Sequence, residues 1–291
     1  MLYEIRHETR FNYATPVDLS QHYVHLAPRN CPRQSVHRAF LDVMPTPTVM
    51  RSGQDYFGNQ TTYLTVEQPH SELVIVSSAQ VEVHDAPAPH PELTTPWDEI
   101  ASRLNAPGDP AALAASEHTF QSRFTRSDIA FEYALPSFPP GQPILSGAVH
   151  LMHRINADFA YQGGVTDVYT PVDTVFEERR GVCQDFAHLQ IACLRALNLP
   201  ARYVSGYLQT HPPEGKEKLV GADASHAWVS VWTPGYGWVD LDPTNDLLPG
   251  PEHITLAWGR DYGDVSPING MVLGGGDHSV KVSVDVREIG A

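Results

Sequence analysis

The sequence predicts an α+β protein in two units: an antiparallel β-sandwich-like domain, then a core in which a helix packs on an antiparallel sheet. Three observations carry this. Residues 1–85 alternate apolar and polar positions at period two. A proline-rich break follows, with Pro87, Pro89 and Pro91 close together. Beyond residue 143, apolar positions first recur at the helical period of about 3.6 residues and then revert to three β-like runs.

In order along the chain, Tyr3, Ile5, His7, Thr9 and Phe11 share one face of a first strand. A second run covers residues 21–28 and a third 35–43. Residues 48–68 read as strand, turn and strand, punctuated by Gly53 and Gly58-Asn59. Residues 73–84 form the longest β-like run. Residues 86–96 read as a stiff linker, and Thr95-Pro96 as the start of a short helix. Residues 86–142 are thus a proline-rich linker and helical lead-in. Ile144, Ala148, Leu151, Met152 and Ile155 fall on one helical face. Thr170-Pro171-Val172-Asp173 begins a short helix ending near Gly181. The next helix starts near Cys183, with Phe186, Leu189, Cys193, Leu194 and Leu197 on its apolar face. The runs ARYVSGYL, HAWVSVW and GWVDLDP follow as strands. Residues 209–223 are a polar loop, and 279–289 are a last strand assigned to the core. The domains are therefore 1–85, 86–142 and 143–291.

Composition narrows the function. The chain has 291 residues, with 34 Asp+Glu against 19 Lys+Arg and a net charge of -15. At 42% hydrophobic residues it can bury a core. The acidic balance argues against nucleic acid and anionic membranes as partners. No apolar run reaches the length of a membrane span. The N-terminus lacks the pattern of a signal peptide, so a cytoplasmic location is expected. Three cysteines, Cys31, Cys183 and Cys193, do not make a disulfide framework.

The chemistry concentrates in three segments. In Gly181-Val182-Cys183-Gln184-Asp185 a cysteine stands where the chain turns into a helix. The N–H groups there favour a thiolate and are ready donors to an oxyanion. Cys193, mid-helix and on the apolar face, reads as inert core, and Cys31 as incidental. Along one helix, Cys183 and Cys193 stand about 15 Å apart, too far for a disulfide. In Ala224-Ser225-His226-Ala227-Trp228 a histidine opens a β-run, and histidine suits proton transfer near neutral pH. In Asp240-Leu241-Asp242-Pro243 an aspartate ends a strand, where a carboxylate could orient an imidazole. Each residue alone has a structural explanation: a buried thiol, a strand-end histidine, a turn-capping aspartate. The order Cys, His, Asp, on a helix and two neighbouring strands, is papain-like. His188 is rejected as the base, because position i+5 on a helix points about 140° away. Asp185 and His188 are expected to make local hydrogen bonds.

GVCQDFAH, RYVSGYL, ASHAWVSVW and GWVDLDPTN closely resemble the transglutaminase-like superfamily, in particular bacterial members described as cysteine proteases with an N-terminal β-domain. YEIRHETRFNYATPV resembles the opening of that domain. The resemblance implies a cysteine triad at Cys183, His226 and Asp242. It implies acyl transfer on peptide or amide bonds through a thioester, with hydrolysis by a peptidase or amidase expected ahead of glutamine transamidation or deamidation. A binding protein with a vestigial site is the alternative of another class. Tyr161 and Gln162 are candidates for a second oxyanion donor, and Trp228 for lining a substrate groove. No cofactor is expected. Neither His22 with His25 nor His84, Asp85 and His90 has a metal-binding spacing. Gly274–Gly276 read as a turn, not a nucleotide loop.

Overall fold

The computed structural model describes residues 1–85, 88–104, 108–210 and 224–290. The strand β1 (Leu2–Val24) is the spine of the first unit. It joins the first two predicted runs into one strand. Its ladder slips at residues 12–17, where Pro16 lacks an N–H to donate. β2 (Gln34–Met44), β3 (Val49–Gln54), β4 (Gln60–Val66) and β5 (His70–Val83) follow. The early half of β1 pairs with β5, and its late half with β4, so the sheet runs β2-β5-β1-β4-β3. The two halves fold toward each other over a small core that includes Tyr13, Val17, Leu64, Leu73 and Ile75.

Short helices α1 (Ile100–Leu104), α2 (Pro110–Ser116) and α3 (Ala130–Ala134) form the lead-in. Asp109 caps α2 by accepting from the N–H groups of Ala111 and Ala112. Within the predicted linker and helical lead-in 86–142, α3 immediately precedes the proline-rich stretch 135–142. The core proper begins with α4 (Ile144–Asp158), β6 (Ala160–Tyr161), α5 (Val172–Glu178), β7 (Arg180–Gly181) and α6 (Cys183–Ala196). Then come β8 (Ala201–Leu208), β9 (Ala224–Thr233), β10 (Gly237–Leu241) and β11 (His253–Gly259), an antiparallel sheet in the order β10-β9-β8-β11. Of the predicted polar loop 209–223, all but Gln209 and Thr210 lie outside the described residues. Phe186, Leu189, Cys193 and Leu194 of α6 are buried with Tyr203 and Tyr207 of β8 and Val229 and Val231 of β9, the side predicted by their helical and two-residue periods. Arg195 ties the end of α6 to the lead-in. It donates to the carbonyls of His118, Ala201 and Arg260 and to the hydroxyls of Ser122 and Thr125.

After α7 (Tyr262–Val265) the chain returns to the first unit. β12 (Ile268–Gly274) pairs with the late half of β1, and β13 (His278–Glu288) with its early half. This corrects the assignment of the last strand to the core. Period two identifies a strand but not its partner, and β1 offers a free edge along its full length.

The two units are locked together. Tyr3, Ile5, Val81, Val83, Val284 and Val286 belong to the same buried cluster as α6. The outer edge of β11 is closed by two buried side-chain amides of the first unit. Gln34 donates to the Thr255 carbonyl and accepts from the Thr255 N–H, both at 2.8 Å. Asn59 does the same for Trp258, at 2.8 and 2.9 Å. Each amide thus does what a neighbouring strand would do for backbone groups that cannot be left unpaired. No helix among the described residues is long and apolar enough to cross a membrane.

Candidate active site

Cys183 opens α6, after an extended Val182 with φ -117° and ψ -178°. Valine has no capping oxygen, and the carboxylate of Asp185 closes the turn instead. Its Oδ2 accepts the Val182 N–H at 2.8 Å and the Thr166 hydroxyl at 2.7 Å. Burial pushes the Asp185 carboxyl up, and these two bonds act against it. The glycine before Val182 is required by this arrangement, since a Cβ on Gly181 would lie 2.7 Å from Asp185 Oδ2. The half-buried thiol therefore sits at a helix terminus whose first-turn N–H groups have no partner within the helix.

His226 lies on β9 opposite Gly206 of β8. A side chain at position 206 would meet the Ile254 carbonyl at 2.2 Å and the Trp228 ring at 2.4 Å. The absence of one leaves room for the Trp228 ring beneath the site. His226 Nε2 donates to Asp242 Oδ2 at 2.7 Å, and the Cys183 side chain is near enough to favour the charged imidazole. With Nε2 committed to the carboxylate, Nδ1 is the nitrogen left to face sulfur. Burial alone would lower the His226 pKa, but the Asp242 and Cys183 side chains outweigh it and bring it up to about 9.

Asp242 follows the last residue of β10 and is fully buried. Its Oδ1 accepts the N–H groups of Thr244 and Asn245 at 3.0 and 3.2 Å. Its Oδ2 accepts from His226, from Asn245 Nδ2 at 2.7 Å and from His253 Nε2 at 3.1 Å. Burial would raise its pKa, and the bonds from His226, His253 and Asn245 instead hold it well below the usual carboxylate range. His226, Asp242 and His253 also form a group of potential metal ligands. Both imidazoles, however, approach one carboxylate oxygen at N–H···O distance. That is the geometry of an acceptor with two donors rather than of three ligands around an ion at about 2 Å.

The other predicted residues fall out as follows. The parallel pairing of β6 with β7 sets Tyr161 beside Gly181, and the Gln162 N–H donates to the Gly181 carbonyl at 2.8 Å. Tyr161 is 60% exposed, two residues of strand away from the cysteine turn. Trp228 is corrected: at 0% exposure it cannot line a groove. It forms the floor under His226 and His253, with ring centroids at 6.1 and 5.3 Å. His188 stacks on Phe124 and accepts the Tyr262 N–H, and burial pushes its pKa down to about 4. Cys193 is fully buried, and burial pushes its thiol well up. Sequence reasoning missed Gly206, Asn245 and His253. A glycine inside the β-run RYVSGYL and an asparagine three residues beyond Asp242 were visible signals. Nothing local marks His253.

The site thus joins a cysteine that opens a helix with a strand-borne histidine bonded to a carboxylate at a strand end. Residues 3–82 match the bacterial transglutaminase-like N-terminal region, and residues 139–243 the transglutaminase-like superfamily. The chain is 42% identical over 296 residues to the Mycobacterium tuberculosis protein Rv2569c, covering 98% of this chain and 92% of that one. It is 31% identical over 286 residues to Mycobacterium leprae ML0607, covering 97% of each. Over 103 residues, 34% of this chain and 15% of the relative, it is 40% identical to a Pseudomonas aeruginosa protein-glutamine gamma-glutamyltransferase. A solved structure from Cytophaga hutchinsonii, named a putative cysteine protease, shares the fold. Its TM-score is 0.78 at 22% identity, covering 100% of this chain and 91% of that one. This chain belongs to the transglutaminase-like superfamily.

Proposed function

We propose that the core is a cysteine-dependent acyl-transfer enzyme acting on peptide or amide bonds, with water as the usual acceptor. The observation that carries this is the His226 imidazole bonded to the buried Asp242 and near enough to Cys183 for that side chain to favour its charged form. His226 takes the thiol proton. The Cys183 thiolate attacks the carbonyl carbon, and the developing oxyanion is met by N–H groups at the start of α6. Tyr161 is the side chain proposed to supply a second donor, on the strength of its exposure beside Gly181; Gln162 is the alternative. The imidazolium protonates the departing amine, leaving a thioester on Cys183. His226 then takes a proton from water, which hydrolyses the thioester. Asp242 stabilises the imidazolium at both stages and holds the ring orientation. No cofactor enters these steps.

The likeness to a protein-glutamine gamma-glutamyltransferase over 103 residues favours a second reading. In it a primary amine, not water, resolves the same thioester. Two measurements separate the readings. Limiting iodoacetamide should alkylate Cys183 ahead of Cys31 and Cys193, and equal labelling of Cys31 overturns the activated thiol. Glutamine-containing and generic peptides are then offered with and without a fluorescent primary amine, beside Cys183→Ala. Hydrolysis is expected to exceed amine incorporation. The reverse result establishes the transferase, and no turnover on any peptide favours a binding protein.

A further inference from the structure

On the face of the core sheet turned away from α6, alternate residues of β8, β10 and β11 line a second cavity of about 310 Å3, closed by the lead-in to β2. Its walls include Arg33, Arg202, Trp238, Asp240, His253 and Trp258. The volume suits a small molecule.

The polar groups here are unpartnered where they should not be. Arg202 is 8% exposed, and its guanidinium is stacked 3.7 Å from the Trp258 ring centre and 4.3 Å from that of Trp238. Its Nε has no hydrogen-bond partner, and no described residue accepts a bond from its other nitrogens. The chain supplies its own comparison. Arg195 is 3% exposed and bonds to five acceptors. Burying an arginine without acceptors is costly, and the same sequence avoids that cost at Arg195. Burial pulls the Arg202 pKa down to about 9, with Asp240 the main charge acting against it. The Arg33 Nε is likewise without a partner, and its Nη1 stands 4.0 Å from Asp240. Two guanidiniums against one carboxylate leave this cavity positive within an acidic chain.

His253 adds a feature of opposite kind. Its Nε2 faces the Asp242 carboxylate and so carries the proton in the neutral ring. Its buried Nδ1 is an acceptor with no partner.

We propose that this cavity binds a small organic acid that has an apolar body and a hydroxyl or amino group. The carboxylate pairs with Arg202 and Arg33, the body lies against the indole-lined walls, and the hydroxyl or amine donates to His253 Nδ1. Through His253, the occupied cavity touches the carboxylate that orients His226.

The test uses Cys183→Ser protein, so that chemistry at the thiol plays no part, and ligand-observed fluorine NMR. The probes are 4-fluoromandelate, its uncharged amide, and 4-fluorophenylacetate, which lacks the hydroxyl. Saturable binding of 4-fluoromandelate is expected. The amide should bind about tenfold more weakly or worse, as for loss of a charge-assisted pair. 4-Fluorophenylacetate should bind several-fold more weakly. Arg202→Met and the more exposed Arg33→Met should each weaken 4-fluoromandelate, with circular dichroism unchanged. If Arg202→Met fails to fold, Arg33→Met and the amide decide. No saturable binding, equal binding of the amide, or binding untouched in the folded arginine variants overturns the site. Equal binding of 4-fluorophenylacetate overturns the His253 contact.

Discussion

Replacing Asp242 with asparagine keeps the shape at the end of β10 and removes one charge. In the native site His226 rises to about 9 although burial opposes this. Against an ordinary value near 6.5, at 1.36 kcal/mol per unit, that is roughly 3 kcal/mol of preference for the imidazolium. Asp242 and Cys183 together must supply more than this, since burial subtracts from it. In Asp242→Asn the Cys183 side chain remains near the ring, but the anionic acceptor is gone. His226 should then titrate near or below its ordinary value. The sign for stability follows from linkage. A histidine raised in the folded state contributes stability that is fully present below the unfolded pKa and is lost as pH rises through the folded one. Native protein should therefore lose on the order of 3 kcal/mol of unfolding free energy from this group between pH ~6.5 and ~9, and Asp242→Asn should lose only a small part of it. Histidine NMR titration reads the site, and denaturant unfolding at several pH values reads the stability. Both compare Asp242→Asn with the native protein, Cys183 being kept in each. A His226 that titrates in Asp242→Asn within about half a unit of the native protein refutes the role given to the carboxylate.

Three further outcomes are expected. Gln34→Ala leaves the buried N–H and carbonyl of Thr255 without partners and should cost about 2–4 kcal/mol, read as a fall of several degrees in Tm; an unchanged Tm would mean that β11 needs no edge closure. Gly206→Ala forces its Cβ against the Ile254 carbonyl and Trp228, should cost about 1–3 kcal/mol, and should slow alkylation of Cys183 by shifting His226. Unaltered unfolding and alkylation would show that the strands yield freely there. Asp185→Ala frees the Val182 N–H and the Thr166 hydroxyl and should slow Cys183 alkylation several-fold with circular dichroism unchanged, whereas an unchanged rate would remove Asp185 from the positioning of the thiol.

What the sequence made legible was local. A glycine before a cysteine before an apolar 3.6-residue pattern marks a helix start, and Asp-Pro marks a strand end. Those signals fall on Cys183 and Asp242 because each depends on its own neighbours. The same reasoning failed where the cause lies far along the chain. Residues 279–289 read correctly as a strand, but their pairing with β1 depends on an edge more than 260 residues away. Alternation put Trp228 on the side of His226, and only the bare Cα of Gly206 explains why it lies beneath the site rather than in a groove. Asn59 read as turn punctuation and Gln34 drew no reading, because a polar amide in a β-rich segment has no pattern that reveals a distant backbone partner.

The family match to the core ends at residue 243, one past Asp242. Two of the three side chains that donate to that carboxylate, Asn245 and His253, lie beyond it. His253 begins β11, and the outer edge of β11 is closed by Gln34 and Asn59 of the first unit. Strand β11 also carries walls of the second cavity. The N-terminal sheet is therefore part of the physical environment of the site. It fixes the strand that brings His253 to Asp242, and so it acts on how firmly that carboxylate stays charged and how strongly it holds the imidazolium of His226. A β-domain that served only to recognise partners would have no need to place two buried amides on the backbone of that strand. Their presence argues that the domain and the site were built as one device.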